Sequence, residues 1–332
     1  MNKDYFSVLD KLYKVRLAFL GVSRCCWLAQ VLAVLLITEL LILPAALAEG
    51  QLSLTENLPS NKSIISLWKK KRASHYISYT NKQMQLAESI FEQLLSNSLS
   101  EKSLSQLRSL NLSISKVNNL LLVSEDLPPY SGQGIYVFRV KAENEILLQA
   151  PHGYHDLKTG KIAIKMMLEN SISALAINTV SRKYKTSAGV INHADMAHLP
   201  VSLFMAFSRA FAKVYGNGKI IQLHGFNAEK RAQKQSQKNT ASALNIIISN
   251  GTRAANQQLI LQQTCLDKAL SIKTHVYPLD INELGGTKNT IGRAIRQLGF
   301  SGFKHIEMSL PVRKKLNRSK KMRRALFECM SQ

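Results

Sequence analysis

Apolar side chains recur at helical spacing between Asn81 and Ser96, at Met84, Ala87, Ile90, Phe91, Leu94 and Leu95. A weaker pattern of the same kind covers Leu104 to Leu110. The pair Pro128-Pro129 ends this helical part, and Gly132 and Gly134 add turns. Beyond it the period shortens. Ile135–Val140 and Ile146–Ala150 are β-prone runs, and Ala142–Glu145 between them predicts a hairpin turn. Strand-like and helical stretches then alternate. Strands are expected at 174–179, 219–223, 243–248, 273–277 and 305–308, with helices at 161–168, 201–214, 253–270 and 290–298. The chain from Pro311 onward reads as helical and basic.

Near-continuous apolar strands alternating with helices predict an α/β fold, a mainly parallel or mixed sheet with helices on both faces. That domain is expected over 131–332, with a helical extension at 75–130 in front of it. Sites in such sheets collect at the carboxyl ends of the strands.

The first 48 residues form a separate unit. Lys3, Lys11, Lys14, Arg16 and Arg24 precede an apolar stretch from Trp27 to Ile37, and Ala46-Leu-Ala48 has the small-x-small pattern of a signal peptidase site. An uncleaved anchor competes with this reading, because Cys25 to Leu43 nearly reaches the length of a bilayer span. Glu39 would lie inside that span, where a charge is costly. Either reading places the domain beyond the membrane, periplasmic or secreted in one case and anchored in the other. Residues 49–74 are polar, end in a basic run and read as a linker.

The formal net charge is +23, which favours acidic partners such as a cell-wall polymer, an anionic membrane surface or a carboxylate-bearing substrate. Nucleic-acid recognition would need a groove-entering helix or stacking aromatics beside the basic patches, and the sequence shows neither. Of the four cysteines, Cys25 and Cys26 belong to the leading segment. Cys265 and Cys329 fall on separate helices and read as unpaired packing residues, with a bridge as the alternative. No Cys-x-x-Cys occurs, which excludes a cysteine zinc site.

Two segments at expected strand ends carry the chemistry. Ala150-Pro-His152-Gly-Tyr-His155-Asp156 places histidine and carboxylate on a tight turn after a strand. Ile220-Ile-Gln-Leu-His224-Gly225-Phe226 delivers a histidine at the end of another. One His/carboxylate pair and a distant His make the ligand set of a catalytic zinc with an open fourth position. A plain reading competes for each residue: satisfied core histidines for His152 and His224, and a helix N-cap for Asp156. His193-Ala-Asp195-Met-Ala-His198 is a further His/Asp cluster, able to bind substrate, support a ligand histidine or cap a helix. Asn250-Gly251-Thr252 opens a helix whose N–H groups suit an anion, or caps it plainly. No Gly-x-Ser-x-Gly elbow is present.

Pro-His-Gly after an early strand, Leu-His-Gly later and Ile306-Glu307-Met-Ser near the end, in that order, resemble the N-formylglutamate amidohydrolase and zinc carboxypeptidase group. Asp195-Met-Ala-His198, Gln222-Leu-His224-Gly-Phe226 and Ser249-Asn-Gly-Thr252 resemble uncharacterised bacterial members. The resemblance covers roughly 135–315 and implies a zinc-peptidase type of fold holding one zinc ion. It implies His152, Asp156 and His224 as ligands, with His155 the rival to Asp156, since the group's usual second ligand is a glutamate at other spacing. It implies Glu307 as general base and Arg182 as the grip on a substrate carboxylate or polarised oxygen; Asp195, His198, Asn250 and Thr252 are the candidate substrate contacts that the residues themselves offer. The expected substrate is a small acyl-amino acid or peptide-like amide. Two other readings stand beside it: a non-catalytic protein on the same fold that recognises an anionic polymer, and an anchored interaction protein working through 75–130.

Overall fold

The computed structural model describes residues 61–185, 191–229 and 245–332. The expected targeting segment at 1–48 and the first part of the linker lie outside the described residues. Among the described residues no helix is long and apolar enough to cross a membrane.

In chain order the structure begins with α1 (Asn61–Lys70), α2 (Asn81–Leu95) and α3 (Glu101–Ser109). Then come β1 (Leu112–Val117), β2 (Leu120–Glu125), β3 (Ile135–Arg139), β4 (Asn144–Ala150), α4 (Thr159–Glu169) and β5 (Ile172–Ile177). A small ribbon, β6 (Lys183–Lys185) with β7 (Ile191–His193), leads to α5 (Leu203–Val214) and β8 (Lys219–Phe226). The last part holds β9 (Asn245–Ser249), α6 (Gln257–Leu270), β10 (Lys273–Val276), α7 (Thr290–Gln297), β11 (Phe303–Ser309), α8 (Leu310–Arg318) and α9 (Lys320–Ser331).

Nine strands form one mixed sheet in the order β1-β2-β3-β5-β4-β8-β11-β9-β10. Its centre, β5-β4-β8-β11, is parallel, while β3 and β9 run antiparallel to their central neighbours. The expected fold class is the one observed. One face buries Leu148, Ile221, Leu223, Ile306 and Met308 in the core cluster that also holds apolar residues of α4, α6, α8 and α9. The other buries Leu147, Ala174, Ile220 and Phe303 with α2, α5 and α7. Phe91, Tyr136 and Phe207 meet there, with ring centroids 4.9–5.1 Å apart. Caps set the helix starts. Thr80 and Gln83 form a capping box on α2, and Ser202, Asn256 and Asn289 cap α5, α6 and α7.

Four local expectations change. β3 and β4 do not form a hairpin. β5, buried at all six positions, lies between them, pairing with β4 in parallel after the α4 crossover and with β3 on its other edge. The stretch 75–130 is not helical throughout: β1 and β2 form a hairpin through Asn118 and Asn119 and extend the main sheet. Asn118 takes φ +55°, a conformation asparagine tolerates better than most residues. Within the expected linker, α1 is a helix that buries Trp68 against the domain. Cys265 and Cys329 are bridged, tying α6 to α9 across 64 residues of sequence, because these helices bring the two Cα atoms to 5.6 Å.

Candidate active site

In the parallel register Glu307 stands beside His224, and Gln222 stands beside both His305 and Gln149. Partners in a ladder point to the same face, so β4, β8 and β11 present a polar stripe on the otherwise apolar α5/α7 side. The turn after β4 adds two more groups. Asp156 N–H donates to the His152 carbonyl at 2.8 Å, and Thr159 closes the turn on the Asp156 carbonyl. Asp156 is not an N-cap, since α4 begins after Lys158, in the left-handed region at φ +81° with no side-chain cap bond. Its side chain turns inward, where Oδ2 accepts from the Gly225 N–H at 3.0 Å.

The hydrogen-bond chain fixes the proton on each histidine. Ser208 spends its O–H on the Phe204 carbonyl, so its oxygen accepts from Gln149 Nε2 at 2.8 Å. Gln149 Oε1 then accepts from Gln222 Nε2 at 2.7 Å. Gln222 Oε1 is left to accept from Asn289 Nδ2 at 2.7 Å and from His224 Nε2 at 3.2 Å. His152 Nε2 lies 2.7 Å from Asp195 Oδ1, and a carboxylate only accepts. Both imidazoles thus carry hydrogen on Nε2 and turn Nδ1 inward. The two Nδ1 atoms are 3.2 Å apart, and Asp156 Oδ2 lies 3.3 Å from one and 3.8 Å from the other.

With neutral rings, three lone-pair donors would face one another in a buried pocket, which is unfavourable unless a cation or proton joins them. A tetrahedral ion with bonds near 2.0–2.2 Å needs donors roughly 3.3–3.6 Å apart, so the triangle fits a metal such as zinc. The outer partners, Asp195 on His152 and Gln222 on His224, are the kind that orient metal-bound imidazoles.

Without metal, a proton on His152 takes the cation's place. Burial alone would lower its pKa, but hydrogen bonds to Asp156 and Asp195 raise it to about 9. His305 goes the other way, lowered to about 4 by burial and then by the charge of His152. A raised histidine stabilises the fold fully below its unfolded value near 6.5 and stops doing so as pH rises through about 9. A buried neutral histidine stabilises fully above about 6.5 and loses this as pH falls toward 4. Melting temperature in chelator should therefore peak near pH ~6.5 and decline on both sides, and saturating zinc should flatten the alkaline limb. A chelated profile with no decline between about pH 6.5 and 9 would contradict the His152 assignment.

Asp195 is a hub rather than an open substrate contact. Besides His152 it takes Arg182 at 2.7 Å and His198 at 3.0 Å on Oδ2. Burial would raise its pKa, but the bonds from His152 and His198 hold it well below the usual carboxylate range. Arg182 and His198 remain partly exposed and line a cavity of about 610 Å³, together with His152, His224, His305 and Glu307. His305 packs against His224 with ring centroids 4.4 Å apart and ring planes tilted by 31°, and Gly286 packs so closely on it that a Cβ would sit 2.8 Å from the ring.

The structure does not bring Asn250 and Thr252 to this cavity. Strand β9 runs antiparallel to β11, so its end points to the opposite edge, where Asn250 bonds Thr252 and the Ala254 carbonyl. His155 is exposed and turns to a neighbouring cavity, which leaves Asp156 in the triangle. Sequence reasoning missed His305, Asn289 and Arg313. For His305 a signal existed, a histidine two positions before Glu307 on one strand face.

No family model matches the sequence, and no curated protein matches it. Solved structures similar to it include an N-formylglutamate amidohydrolase from Ralstonia eutropha JMP134. The identity is 10%, the match covers 64% of this chain and 96% of that one, and the TM-score is 0.38. A bacteriophage poly-gamma-glutamate hydrolase is similar at 14% identity over 58% of this chain and 87% of that one, with a TM-score of 0.31. The group that the sequence motifs resemble is thus represented among the structures similar to this chain.

Proposed function

We propose that this chain is a hydrolase of an amide or peptide-like bond that works with one zinc ion held by His152, Asp156 and His224. The observation that carries the reading is the donor triangle, two histidine lone pairs and a carboxylate oxygen converging with their outer hydrogens already committed. When bound, such an ion supplies Lewis acidity, activating water and polarising a carbonyl. Glu307, on the strand beside His224, takes a proton from the attacking water and returns it to the leaving nitrogen. Its carboxylate lies within 4.8 Å of ligand-type atoms of His224 and His305. Arg182, anchored by Asp195 at the cavity wall, offers its remaining N–H groups to a carboxylate of a small acyl-amino acid or peptide. The bridge between Cys265 and Cys329 supports an oxidising compartment and therefore export.

Metal analysis of the purified protein after zinc loading tests the reading. About one ion per chain is expected, absent from a His152→Ala/His224→Ala double variant of unchanged fold. Wild-type protein that takes up no metal sinks the proposal.

A further inference from the structure

The loop that carries His152 and Asp156 has a second side. There Gly153, Tyr154 and Lys158 meet α1 in a cleft of about 370 Å³. Four cations line it, Lys69 and Arg72 from α1 and the turn after it, and Lys158 and Lys161 from the start of α4, and no acidic residue does. Among the described residues, none of the four has a carboxylate partner. Most described cations elsewhere also lack such a partner, and the ion pairs that form are few, among them Arg209 and Lys213 with Glu88, Arg323 with Glu169 and Arg324 with Glu328. What sets these four apart is that they gather in one cleft. Like charges gathered in one concavity repel one another and focus a positive field.

The cleft is also built rather than draped. Tyr154 stacks on Trp68 with centroids 4.5 Å apart and bonds the Trp68 carbonyl at 2.8 Å. Arg72 lies over the Tyr154 ring at 4.8 Å. Trp68 Nε1 donates to the Asn178 carbonyl at 2.9 Å. A Cβ on Gly160 would meet the indole at 2.8 Å, so glycine is what lets the first turn of α4 close on Trp68. The aromatic faces are occupied, which leaves the four cations and the exposed Leu157 as the groups open to a ligand, with charge the shared feature.

We propose that this cleft is a docking site for a linear polyanion, one whose repeating units carry carboxylate or phosphate groups. Four uncompensated cations within one cleft suit successive anions of a chain better than a single small ion. The site stands independently of the metal-dependent chemistry proposed above.

Binding of fluorescently labelled poly-L-aspartate and of inorganic polyphosphate to the full chain, across a salt series and in chelator, tests it. Neutralising the cleft with Lys69→Ser/Arg72→Ser/Lys158→Ser/Lys161→Ser should weaken binding by about tenfold or more and flatten the dependence of log affinity on log salt. A control quartet on other surfaces, Lys102→Ser/Lys116→Ser/Lys141→Ser/Lys273→Ser, removes the same charge and should lose far less. Whichever polymer shows that contrast identifies the repeating anion. Equal losses in the two quartets overturn the proposal, because net charge alone would then account for binding. Anionic phospholipid vesicles that show the contrast when neither polymer does overturn it in favour of a membrane surface.

Discussion

Replacing Glu307 by glutamine is expected to lower turnover by a factor of about 10² to 10⁴ while leaving the bound ion in place. The substitution keeps the shape of the side chain and removes its ability to accept a proton. The register of β8 and β11 puts Glu307 beside His224, yet it is not among the three residues of the donor triangle. The defect should therefore fall on kcat, with KM little changed, on any substrate the wild-type protein turns over. Metal content of the same preparation decides what the loss means. Retained ion with lost turnover marks a proton acceptor. Lost ion would mark a ligand instead, because His224, His305 and Glu307 form a second group of donors close enough to share a cation.

The sequence made the scaffold legible because most of its strands are buried on both faces. Ile172–Ile177 and Phe303–Ser309 are buried at every position, and a run of that kind has few alternatives to the middle of a covered sheet. The β1–β2 hairpin was harder to see. Ser113 and Ser115 interrupt one face of β1 and Lys116 the other, and the turn is made by Asn118-Asn119 rather than by a glycine. The β3–β4 hairpin expected at Ala142–Glu145 failed for a different reason. Local turn chemistry suited it, but the pairing was decided by β5, which is reached only after a whole helix.

The site divides in the same way. His152, Asp156 and His224 could be picked out because each sits at a strand end or on the tight turn after one, and parallel strand ends converge. Asn250 and Thr252 satisfied the same local rule and were misplaced, because β9 reverses direction next to β11. Strand polarity is a property of the whole topology and leaves no mark on five residues. Asp195 was visible as a candidate with three open roles: substrate contact, support of a histidine and helix cap. The fold selects among them: Oδ1 takes His152 while Oδ2 takes Arg182 and His198, which makes it a support for the His152 ring rather than a free contact.

Arg313 had no sequence signal at all, and its removal should produce a large loss of stability for a single polar side chain. It is almost fully buried, 5% exposed, and donates to the carbonyls of Met308 at 3.1 Å, Leu157 at 2.7 Å and Phe226 at 3.1 Å. Those three carbonyls close β11, the β4 loop and β8, so one guanidinium ties together the elements that carry the donor triangle. Arg313→Ala strands three carbonyls around a void and should cost about 3 kcal/mol or more. Gly225 has an ordinary backbone conformation, and what it provides is space: a Cβ there would sit 2.4 Å from Arg313 Cζ. Gly225→Ala alone should therefore cost about 1–3 kcal/mol by overpacking. In the double variant the alanine methyl enters space the guanidinium has left. The cost of the double variant should fall short of the sum of the two single costs by about 1 kcal/mol or more in chemical denaturation. Additive losses would mean that Gly225 does not owe its identity to Arg313. Because the Gly225 N–H also holds Asp156 Oδ2, the same variants should weaken the proposed metal binding in the order of their destabilisation, which connects the packing at the strand ends to the donor triangle above them.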